Sequence, residues 1–168
     1  FIMIVPFPFF DELGHLAFFD DKTPENDKDR IMAFYKTCLQ RHLYFHGTDK
    51  ILLSKNVSFS PMIEALSETF PDSKIIATVR HPEKAVPSHI SSMTEGAKIF
   101  DNNISGTEFK NQMIEVQRYA YSHIQKKIPL IQEKRRLVLT MEDMQSGLYS
   151  SVSLIYSHFG YRMSKDFE

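Results

Sequence analysis

Arg80 and Ser88 stand eight residues apart, just past a short apolar run, and together they carry the chemistry of an anion site. A terminal phosphate bears close to two negative charges and several acceptor oxygens. A planar guanidinium meets two of those oxygens at once, which an ammonium cannot do. A serine hydroxyl near a helix start adds a neutral donor, and the positive end of a helix favours the anion. Each charge-assisted bond contributes about 1.5–3 kcal/mol net. Either residue alone reads as a surface arginine or a filler serine. The pair gains meaning from the elements around it.

Those elements are well signalled between Lys50 and Ser92. Ile51-Leu52-Leu53 is too short for a helix and suits a buried parallel strand. Ser60-Pro61 reads as N-cap and first helical residue, because serine accepts a free backbone N–H and proline has none to lose. Ile63, Leu66 and Phe70 then share one helical face. Phe70-Pro71-Asp72-Ser73 turns the chain into Lys74–Val79, a second buried strand that delivers Arg80 at its carboxyl end. Ligands of open parallel sheets bind just beyond that end. Arg80 is therefore expected at a ligand site.

Lys55, the Phe70-Pro71-Asp72 turn, Arg80-His81-Pro82 and Val86-Pro87-Ser88 resemble the core of the sulfotransferase superfamily, from about Tyr35 to Phe159. Those enzymes move a sulfuryl group from 3'-phosphoadenylyl sulfate to a hydroxyl or amine. The resemblance implies that Arg80 and Ser88 hold the nucleotide's 3'-phosphate. It implies that Lys55, twenty-five residues before Arg80, offsets charge on the bridging oxygen as the sulfuryl group leaves. Transfer would be in line and would require no metal.

The resemblance weakens at the base. Family enzymes place a histidine two or four residues after the lysine, and here those positions hold Val57 and Phe59. Neither takes a proton. Losing a general base costs about 10²–10⁴-fold in rate, roughly 3–5 kcal/mol of barrier. His15, His81 and His89 are the candidate substitutes, while Ser58 and Ser60 are poor bases unaided. Relatives also carry a Gly/Ser/Thr-rich phosphate loop after their first strand and a basic glycine-containing loop near their far end. Neither is found in this sequence, and no GxxxxGK[ST] loop occurs. That last absence disfavours a nucleotide kinase of related fold.

The chain opens at Phe1 inside an apolar segment, FIMIVPFPFF, where a native terminus is usually polar. The expectation is one sulfotransferase-like domain over residues 1–168, without the N-terminal phosphosulfate loop and the C-terminal part. Phe1–Phe19 reads as core packing under a loop, ahead of an aromatic plug, a membrane-surface patch or a partner-binding arm. Pro6 and Pro8 preclude a continuous helix there, and Glu12 with His15 is its ionisable pair. Arg30–His46 carries the stripe of an amphipathic helix, closed by Gly47. His42 and His46 have metal-ligating spacing, but no third ligand is evident and an exposed pair is expected. The helix bearing Ser88 is predicted to end near Ser92. Ser105–Glu108 is a capping-box pattern opening a helix with Phe109, Met113, Val116, Ala120 and Ile124 on its face. Lys126-Lys127 and Lys134-Arg135-Arg136 are read as a solvated face. Leu137–Thr140 is a third buried strand. Relatives often follow it with Tyr-Glu-Asp, the tyrosine near the adenine; here Met141 precedes Glu142-Asp143 and can pack on a base without donating a hydrogen bond. Leu148, Val152, Ile155 and Phe159 form a last stripe, ended by Gly160.

Bulk properties bound the function. The chain is 42% apolar with 12% aromatic residues, ample for a core. A net charge of −1 indicates no nucleic-acid-binding field. One cysteine, Cys38, rules out an internal disulfide framework, which suits a reducing compartment and is compatible with a Golgi lumen. No apolar run approaches the ~20 residues that span a bilayer. The expected fold is α/β, a three-layer parallel sheet flanked by helices, of the sulfotransferase type within the P-loop-like folds. Two functions fit it. One is sulfuryl transfer to a hydroxyl on a lipid, small molecule or carbohydrate. The other is a sulfotransferase-like protein without catalysis, serving as a structural or assembly subunit through partners that include its aromatic N-terminal segment.

Overall fold

A computed structural model describes residues 14–99 and 106–164. Two parallel strands form the described sheet. β1 (Ile75–Val79) pairs with β2 (Arg136–Thr140) in register from Ile75↔Arg136 to Val79↔Thr140. The described part of the long stretch between them is largely helical, as a parallel crossover allows. Strands 2 and 3 of the sequence reading are therefore present within a residue of their expected bounds, and among the described residues the sheet has those two strands.

Ile51–Leu53 is not a strand. It runs without regular structure, and Ile51 and Leu53 lie exposed at 69% and 85%. An apolar run becomes a strand only where a neighbouring edge takes up its N–H and C=O groups. Ile51–Leu53 pairs with neither described strand.

Seven α-helices occur among the described residues. α1 (Phe19–Lys22) and α2 (Glu25–His46) open the chain; α2 ends at Gly47, whose φ of 113° few other residues adopt. α3 (Ile63–Thr69) leads to β1, and α4 (Pro82–Ile99) leaves it. α5 (Thr107–Lys127) crosses back, and α6 (Met141–Ser146) and α7 (Leu148–Phe159) follow β2. One apolar cluster joins Phe19, Met32 and Ala65 with Leu16, Ile31, Tyr35, Met62, Leu66 and Phe70. A second joins Ile63, Ile128 and Ile131 with Ile75, Ala77 and Ile124, and it anchors β1.

Three local expectations are corrected. Ser60 does not cap α3: Val57–Met62 is a 3-10 turn capped by Asn56, and the Ser60 hydroxyl donates to the Val57 carbonyl. The cap comes instead from Asp20, whose Oδ2 accepts from Glu64 N at 2.9 Å and whose Oδ1 accepts from Ala65 N at 3.2 Å. α4 continues past Ser92 to Ile99, since no residue between them breaks a helix outright and a single interior glycine costs only about 1 kcal/mol. Three of the five residues of the basic cluster are structural. Arg135 donates to the carbonyls of Ser73 and Phe70, Arg136 to that of Ile128, and Lys127 pairs with Glu64; Lys126 and Lys134 remain exposed. Residues 1–13, with Glu12 and the first aromatics, and Ser105 of the expected capping box lie outside the described residues; Thr107 does begin α5. Gly160 ends α7 with φ 71°, as the sequence pattern requires.

Candidate functional site at the strand ends

β1 and β2 run parallel and finish together, so whatever follows Val79 and Thr140 is brought to one edge. Arg80 follows the first and Met141 the second. Arg80 is exposed and Met141 half-buried. α4 begins two residues past Arg80: the His81 carbonyl accepts from Lys84 N and Ala85 N, each at 3.0 Å. Ser88 lies exposed in the second turn of that helix. Pro87 has no N–H for the Glu83 carbonyl, so the helix is loosened one residue ahead of Ser88.

Three side chains missed by the sequence reading tie this edge together. Tyr121 Oη, from α5, donates to the Arg80 carbonyl at 2.6 Å and fixes the backbone at the strand tip. Burial raises the pKa of the Tyr121 phenol, the Arg80 guanidinium lowers it and the Glu142 carboxylate raises it, so both charged groups act on this phenol. Lys84 Nζ meets Glu142 Oε1 at 3.8 Å and spans from α4 to α6. The 41-residue separation of Tyr121 from Arg80 leaves no sequence signal. The start of α6 did have one: Thr140 and Asp143 form a reciprocal capping box.

Lys55 sits on the exposed stretch before the 3-10 turn. Its neighbours hold it on both sides: Ser54 Oγ bonds Tyr35 Oη at 2.8 Å, and Asn56 Oδ1 accepts from Ser58 N at 3.0 Å. No described contact joins Lys55 to Arg80, Ser88 or Met141. Val57 is exposed, and Phe59 packs with its ring centroid 5.8 Å from that of Tyr35. Of the substitute bases, His15 is half-buried in a 3-10 turn, where its carbonyl accepts from Thr23 Oγ1. His81 is exposed with Nδ1 3.7 Å from Glu83. His89 is half-buried, and desolvation lowers its pKa from 6.5, which favours the neutral, proton-accepting ring.

A second polar centre lies deeper. His123 Nε2–H donates to Asp20 Oδ2 at 2.7 Å, both side chains being 2% exposed. Tyr119 stacks on the imidazole at 5.0 Å. This centre welds α1, α3 and α5 and thereby sets the segment that follows Lys55. Two open hollows lie elsewhere: one of about 610 Å³ along α5, one of about 310 Å³ bordered by Asp20, Lys28, Glu64 and Glu68. Neither borders Arg80, Ser88 or Lys55. The His42 and His46 rings touch at 4.4 Å, and no group of three metal-ligating side chains occurs among the described residues. No described helix is long and apolar enough to cross a membrane.

The model of the Sulfotransferase family matches residues 10–165 of the chain. No curated protein and no solved structure matches it.

Proposed function

The chain belongs to the sulfotransferase family, and from that premise we propose that it moves a sulfuryl group from 3'-phosphoadenylyl sulfate to a hydroxyl acceptor on a lipid, small molecule or carbohydrate. Arg80 and Ser88 hold the 3'-phosphate, Met141 packs against the adenine, and Lys55 offsets charge on the departing oxygen. The nucleotide supplies the activated sulfuryl group. The same reading widens the sheet to three layers, with helices on both faces.

One observation carries the proposal above the others. Arg80 directly follows the last register pair of a parallel sheet, at the end where such sheets take ligands. Its side chain is exposed, and among the described residues no carboxylate forms an ion pair with it. A phosphate dianion fits that donor.

A second reading is favoured by Val57 and Phe59. With one side chain exposed and the other packed on Tyr35, neither position offers a base, and the chain then serves as a catalytically inactive subunit. Calorimetry with adenosine 3',5'-bisphosphate tests the nucleotide site that the transfer reading requires. The wild-type chain binds, and Arg80→Ala weakens binding by about 10–100-fold, the equivalent of one charge-assisted bond. A folded wild-type chain that does not bind the nucleotide refutes the transfer reading and favours the subunit.

A further inference from the structure

The first turn of α4 places Lys84 four residues ahead of Ser88, so the two share a helix face. Arg80 stands four residues before Lys84, just outside the helix. The tip of Lys84 reaches Glu142, the second residue of α6, at 3.8 Å. Glu142 in turn acts on the phenol of Tyr121, which bonds the Arg80 carbonyl. Lys84, Glu142, Tyr121 and Arg80 thus gather at the carboxyl ends of both strands.

The Lys84–Glu142 pair is a weak one. The two side chains are 63% and 46% exposed, and an ion pair that is long and solvated contributes little and exchanges readily. The other cationic candidate beside Arg80, His81, faces Glu83 instead. A terminal phosphate carries nearly two charges, and one guanidinium neutralises half of that.

We propose that Lys84 is a second cation of the Arg80 site, occupied by Glu142 until a phosphate arrives and then transferred to it. This rests on the nucleotide reading above and extends it to a residue that neither the resemblance nor the sequence pattern assigned. Glu142 acts as the competitor. It holds the ammonium near the strand ends in the free protein and gives it up to a ligand of higher charge.

Calorimetry on the full chain with two probes, adenosine 3',5'-bisphosphate and adenosine 5'-phosphate, tests the idea. Lys84→Ala weakens the bisphosphate by about tenfold and leaves the monophosphate unchanged, because the monophosphate lacks the group that Lys84 meets. Lys84→Arg retains the preference. Glu142→Gln tightens the bisphosphate in the wild-type background and does so less in Lys84→Ala. If Lys84→Ala binds both probes as wild type does, or loses both equally, Lys84 has no such role, even with the Arg80 site intact. A wild-type chain that does not discriminate between the probes removes the 3'-phosphate site itself, and the nucleotide reading goes with it.

Discussion

Replacing His123 by alanine removes the imidazole that hydrogen-bonds a carboxylate with almost no access to water. The Asp20 carboxylate and the His123 ring are each 2% exposed and 2.7 Å apart. The carboxylate also accepts the two N–H groups that start α3, so it cannot turn outward to find water without uncapping that helix. Leaving such a buried acceptor one hydrogen bond short costs about 1–3 kcal/mol, the desolvation of an unsatisfied polar group. Against a typical total of about 5–15 kcal/mol, that is a large share. Urea unfolding followed by circular dichroism reads the difference as a lower midpoint at unchanged slope. Asp20→Ala loses a helix cap as well as the pair, the cap alone being about 1 kcal/mol. The double variant loses less than the two single losses summed, since each single change orphans the other group. Single losses below about 1 kcal/mol, or strict additivity in the double, refute the assignment of this pair as the joint between α1, α3 and α5.

Two further predictions concern the periphery. Gly160→Ala places a side chain at φ 71° with open space around its Cβ, so it costs about 1–2 kcal/mol of backbone strain without a clash, read as a lowered urea midpoint. His89 has a folded pKa below the 6.5 of the unfolded chain. Below pH 6.5 the unfolded chain therefore binds more protons, and stability falls as pH drops from 6.5 through the lowered folded value. His89→Gln flattens that part of the stability–pH curve; an unchanged curve refutes the assignment.

Elements written in a local period were legible in the sequence. β1 and β2 follow from short apolar runs and α2 and α7 from helical apolar spacing, and Gly47 and Gly160 announce their helix ends because only a left-handed residue closes them cheaply. The family was legible too: the resemblance read from Lys55, Arg80 and Ser88 pointed to the family whose model matches residues 10–165. Contacts made across the chain were not. Asp20 caps a helix through Glu64 N, 44 residues later, and nothing near Ser60 reveals that its hydroxyl is already committed. His123 occupies a helix face whose apolar neighbours hide it, and its importance appears only once Asp20 faces it. Ile51–Leu53 shows the converse error: composition favours a strand, but a strand is a property of two chains' hydrogen-bonding edges, and a run of three residues specifies only one.

The two strands are partners about sixty residues apart in the chain. During synthesis at about 5–20 residues per second, β1 leaves the ribosome roughly 3–12 s before β2. Throughout that interval its N–H and C=O groups face solvent or the wrong neighbour. Of the side chains that anchor β1, Ile63 is made before it and Ile124, Ile128 and Ile131 only after, so the strand gains its packing as late as its pairing.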